Sequence, residues 1–83
     1  MTASTMREPA RALLAAALEI EPAAIPDQAD METLEAWTSV GHLRLVLAIE
    51  ERLGRQLAPE DAVAIASLAD IAEILARAPA EAV

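Results

Sequence analysis

Apolar residues recur along this chain at helical spacing. Met6, Ala10, Leu13, Leu14, Ala17 and Leu18 fall at i, i+4, i+7, i+8, i+11 and i+12, which lays them along one stripe of an amphipathic helix. Ser4 or Glu8 is placed to cap that helix, Pro9 is tolerated in its first turn, and the pattern predicts an end near Ile20. Pro22 and Pro26 then open a connection of about a dozen and a half residues, longer than most helix-to-helix loops, with Ile25, Met31 and Leu34 as its expected tethers. A second helix is predicted from about Val40 to Leu53, with Ser39 as its N-cap and Gly54 as its left-handed stop. Pro59 suits a first helical position, and Glu60 and Asp61 suit the positive end of a short third helix through about Ala64. Ser67 and Asp70 resemble a capping box ahead of a fourth helix, whose stripe is Leu68, Ile71, Ala72 and Leu75, with Asp70, Glu73 and Arg77 opposite. The prediction is an all-α, small irregular four-helix bundle: three longer helices, one short third helix and a long first loop. One domain over 1–83 is expected, with its core at about 5–77 and a frayed tail, "APAEAV".

The second helix departs from a single stripe. Val40, Leu43, Leu45, Val46, Leu47, Ala48, Ile49 and Leu53 wrap more than half of it, and a domain of 83 residues can hardly bury it on every side. Spacing divides the set. Leu45, Val46, Ile49 and Leu53 face the core, while Val40, Leu43 and Leu47 share a neighbouring face with Glu50 and Glu51. That face is either a docking surface with an apolar middle and an acidic end, or it lies beneath the long loop.

Composition sharpens the picture. Alanine is abundant, Trp37 is the only aromatic residue and cysteine is absent, so stability must come from helix packing without disulfides or thiolate metal ligands. All six basic residues are arginines, and fourteen acids bring the net charge to −8, which disfavours nucleic acid and anionic membrane surfaces. Between Arg11 and Arg44 lie Glu19, Glu21, Asp27, Asp30, Glu32 and Glu35 with no basic residue among them, so a partner approaching along this segment is expected to be basic. The apolar run "ALLAAAL" is too short to span a bilayer and is flanked by glutamates where a signal peptide needs small neutral residues. A soluble, cytoplasmic, monomeric protein is expected.

Candidate chemistry centres on Ser39. A nucleophilic serine needs a base, and the only histidine, His42, has no acid evidently placed to orient it and is expected to face solvent. "TSVGH" lacks the strand and glycines of a nucleophile elbow, and "DQADMETLE" lacks the glycine and spacing of a calcium loop. No catalytic residue and no metal site is therefore expected. A serine at a helix N-terminus does offer a hydroxyl where a phosphate diester is electrostatically favoured. It also makes an ordinary cap, and spacing alone leaves both readings open.

"SVGHLRLVLAIEERLG", with "LAPEDA" before a short third helix and "IASLADIAEIL" as the fourth, resembles the acyl carrier proteins and related phosphopantetheine-binding carrier domains over about residues 5 to 77. The resemblance implies that Ser39 receives 4′-phosphopantetheine from coenzyme A through a separate Mg²⁺-dependent transferase. It implies a carrier, not an enzyme, that holds acyl groups as thioesters on the arm. Its partners would be that transferase and the acyl-loading, condensing and modifying enzymes of fatty acid, polyketide or related secondary-metabolite biosynthesis. Val40, Leu43, Leu47, Glu50 and Glu51 would then recognise partners, Leu45, Val46, Ile49, Ile65 and Leu68 would form core or acyl pocket, and Trp37 would pack the loop beside the serine. An aminoacyl or peptidyl carrier and an unmodified carrier-like interaction module are the alternatives. Thr38 replaces the family's usual aspartate, and Gly41 and Arg44 stand where many members carry acids, so the second helix is less acidic than usual and a specialised pathway is expected.

Overall fold

The computed structural model describes Thr2 to Arg77, so the tail expected to fray lies outside the described residues. Among the described residues four helices follow one another: α1 (Arg7–Leu18), α2 (Ser39–Leu53), α3 (Pro59–Ala64) and α4 (Leu68–Arg77), with a 3-10 turn at Pro22–Ala24. The irregular all-α bundle predicted from the pattern is the architecture observed. α1 is the hub, packing against both α2 and α4. Its predicted stripe is its inner face, where Met6, Ala10, Leu14, Ala17 and Leu18 are buried, Leu13 is half-buried and Ala15 joins them. On α4, Leu68, Ile71, Ala72 and Leu75 are buried as expected, together with Ile74.

The ends of α1 differ from the pattern. Neither Ser4 nor Glu8 caps it; Met6 precedes the helix with no side-chain cap, and a Thr2 to Thr5 hydrogen bond of 2.9 Å closes a turn ahead of it. Its last turn stops at Leu18 because Glu19 adopts the left-handed conformation, with φ 61°. The Ile20 N–H donates to the Ala15 carbonyl at 3.0 Å and the Glu19 N–H to Ala16 at 3.3 Å, the paired closure that a glycine usually makes. A left-handed non-glycine residue carries a backbone cost of about 1–2 kcal/mol, partly offset in a Glu19→Gly change by the freer unfolded chain. Glu19→Gly is expected to raise stability by about 0.5–1 kcal/mol in urea melts; an unchanged or lowered midpoint would contradict this account.

The long first loop is folded onto the bundle. Ile25 and Ala29 are buried and Leu34 is half-buried, whereas Met31, expected as a tether, stands at the surface. Arg11, on α1, reaches across to donate to the Ile25 carbonyl and the Asp27 carboxylate. Midway, Asp30 pairs with Ser67 in an antiparallel bridge: the Met31 N–H donates to Ala66 at 2.9 Å and the Leu68 N–H to Ala29 at 3.0 Å. The Asp30 carboxylate in turn accepts from the backbone N–H groups of Thr33 and Glu32 at 2.9 and 2.8 Å.

Both loop carboxylates sit below the ordinary aspartate range, Asp27 because Arg11 donates to it and Asp30 because the Thr33 N–H does. A carboxyl lowered in the folded state stabilises the fold above its unfolded value, and that contribution is lost as pH falls through the folded value. The stability gap between wild type and Asp27→Asn/Asp30→Asn should therefore be widest near neutrality and close below about pH 4. A gap that stays constant down to strong acid, measured by urea denaturation, would sink the assignment.

Candidate functional site

The N-terminus of α2 is built differently from the expectation. Thr38, not Ser39, is the N-cap: its backbone is extended, its Oγ1 accepts from the Gly41 N–H at 3.1 Å, and its carbonyl takes the His42 N–H at 2.8 Å. Ser39 is the first residue inside the helix, with an exposed side chain free of capping duty. The N–H groups of Ser39 and Val40 find no carbonyl among the described residues, as the first turn of a helix requires, and they make this end electropositive. Gly41 is buried where α1 crosses. A Cβ there would lie 2.5 Å from Cδ2 of Leu18, so the absent side chain reflects helix contact.

His42 is not solvent-facing as expected. Its ring is half-buried and stacks on the buried indole of Trp37, with centroids 6.1 Å apart. Trp37 Nε1–H donates to His42 Nδ1 at 3.1 Å, which leaves the ring proton on Nε2 to be donated to the Ala62 carbonyl at 3.0 Å. Both ring nitrogens are thus committed to joining the end of the first loop, α2 and α3. Neither is directed at Ser39 as a base. Sequence spacing contained no sign of this, because Ala62 lies twenty residues away and bonds through its backbone.

Beside Ser39 opens an apolar groove of about 410 Å³, walled by Met31, Leu43 and Val46 on one side and Ala62 and Val63 on the other, with His42 between. Val46, expected with the core, is a half-buried wall of this groove, and α3 supplies Val63, which the pattern had not singled out. Leu45, Ile49, Ile65 and Leu68 are fully buried behind it.

The outer face of α2 is bare. Val40, Leu43 and Leu47 are 59%, 60% and 57% exposed, so the long loop does not cover them. Glu51 is exposed with them, but Glu50 turns inward, its Oε2 accepting from the Leu57 N–H at 2.9 Å to hold the connection into α3. Arg44 reaches back to Glu19 at 3.4 Å, joining α2 to the left-handed end of α1.

A family profile described as the phosphopantetheine attachment site matches residues 9–75, most of the chain. The chain belongs to this family of carrier domains. Comparison with curated proteins and with solved structures gives no match. Membership makes the protein a phosphopantetheine carrier: the family holds 4′-phosphopantetheine covalently on a serine and interacts with a transferase and with biosynthetic enzymes, its domains being carriers and not catalysts. Among the described residues no helix is long and apolar enough to cross a membrane.

Proposed function

We propose that Ser39 is the attachment residue and that the chain carries acyl intermediates as thioesters. One observation carries the choice of serine. The matched span contains two, Ser39 and Ser67; the Ser67 hydroxyl is half-buried and accepts from the Asp70 N–H at 3.1 Å to head α4, whereas the Ser39 hydroxyl is exposed and uncommitted. The surroundings of Ser39 fit a phosphodiester, because unpaired N–H groups and the positive end of a fifteen-residue helix adjoin its hydroxyl. When attached, the arm supplies a terminal thiol for thioester formation. The chain's own part is to expose the anchoring oxygen, stabilise the adjoining negative charge and present an apolar surface.

The apolar groove next to Ser39 supports acyl cargo over aminoacyl cargo, since Met31, Leu43, Val46 and Val63 offer hydrocarbon contacts and no partner for an ammonium group. The partners are then a phosphopantetheinyl transferase and the loading, condensing and modifying enzymes of fatty acid, polyketide or related secondary-metabolite assembly in the cytoplasm. Incubation with coenzyme A and a broad-specificity transferase, read by intact mass, tests the attachment. One arm on wild type and none on Ser39→Ala is the expected result; equal labelling of both, or none on either, overturns it.

A further inference from the structure

We infer that the outer face of α2 and the turn that follows it dock enzymes through carboxylates on the enzyme, with Arg44 and Arg55 as the residues that select them. The inference rests on the carrier reading and concerns which partners the carrier accepts. On a chain of net charge −8, a recess of about 620 Å³ lined by Leu47 and Ala48 is bordered by two guanidinium groups, Arg44 and Arg55, and by the carboxylates of Glu50 and Glu51. The Glu50 carboxylate keeps its charge but is held toward the Leu57 N–H, whereas Glu51 is exposed. Arg44 has only the Glu19 pair, exposed at both ends and therefore easily exchanged for a partner's carboxylate, and Arg55 has no ion pair among the described residues. Leu43 and Leu47 continue the apolar surface from this recess toward Ser39.

Position makes the Arg44 charge unavoidable. Arg44 lies five residues beyond Ser39, roughly 8 Å along the helix axis, inside any interface large enough to bring an active site onto the serine. It also lies within about one Debye length of that contact at physiological salt. A uniformly basic enzyme surface, which the overall charge attracts at long range, meets like charge at Arg44 and Arg55 on contact. A surface with an apolar pocket for Leu47 and carboxylates opposite the two arginines meets complementary charge instead, so local charge sorts what net charge collects.

The test uses a transferase whose carrier-facing surface is basic, and a version of it with those basic residues changed to glutamate. With the basic transferase at low salt, Arg44→Glu/Arg55→Glu should be loaded with a kcat/KM about three- to tenfold above wild type, the advantage shrinking at high salt. With the glutamate-bearing transferase the preference should reverse. Equal kcat/KM for both carriers with both transferases, or a wild-type advantage with the basic one, would overturn the inference. The same comparison by surface plasmon resonance on Ser39→Ala carriers reads the charge preference without attachment. Failure of the Ser39 assignment and failure of the charge preference are therefore separate results.

Discussion

Ser39→Ala is expected to abolish attachment of the arm while leaving the stability of the fold within about 0.5 kcal/mol of wild type. Thr38→Ala is expected to do the reverse, costing about 1 kcal/mol and leaving the Ser39 oxygen in place. The two effects separate because neighbouring hydroxyls have different tasks. Oγ1 of Thr38 satisfies the Gly41 N–H at 3.1 Å, and an alanine there leaves one more donor of the first turn without its partner. The Ser39 hydroxyl is exposed and makes no capping bond, so its removal takes nothing from the helix. Threonine at position 38 thus supplies a capping oxygen without a charge. Thermal melts combined with intact-mass loading of both variants check the dissociation. A Ser39→Ala protein that melts as low as Thr38→Ala, or a Thr38→Ala protein that cannot be loaded under forcing amounts of transferase, would show that one serine and threonine unit performs both tasks.

Trp37→Ala is expected to cost about 3–5 kcal/mol, which for a domain of this size lowers the melting midpoint by at least about 12 °C. Trp37 is 4% exposed and is the largest side chain in the core. Its loss leaves a cavity where the first loop meets α2, and it also strips the hydrogen bond from Nδ1 of His42. The total stability of a small domain is about 0.05–0.15 kcal/mol per residue, so this one truncation removes a large part of it. Trp37→Phe keeps much of the apolar contact and loses the N–H donor and part of the ring volume, so it should fall between the two. Circular dichroism is the suitable probe, because the variant lacks the only tryptophan. A Trp37→Ala midpoint within a few degrees of wild type would mean that the ring closes the surface without supporting the core.

Much of the fold was readable along the chain. The stripes of α1 and α4 follow directly from 3.6-residue periodicity, which depends on nothing beyond the helix itself. Gly54 and Pro59 mark the end of α2 and the start of α3 because their backbone preferences are local. Glu19 was hidden for the same reason: nothing in a glutamate announces a left-handed residue, and the end of α1 is set by Ile20 packing onto the core. Ser67 and Asp70 were correctly paired, but the carboxylate closes on the Ala66 N–H at 2.9 Å, one residue earlier than a standard box. On α2 the apolar excess was visible, yet the division of its residues was not. Val46 and Glu50 both turn out half-buried, one against the groove and one holding the next connection.

The sequence by itself determined the helical class, the order of the elements, the core stripes and Ser39 at the head of a helix whose surplus apolar residues needed an explanation. Periodicity, caps and charge are local properties, and a linear pattern records them. Tertiary structure decided which hydroxyl caps and which is free, why position 41 holds a glycine, where the groove opens, and how His42 joins Trp37 to Ala62. Each of these depends on atoms brought together from separate elements, with distances that no residue spacing encodes.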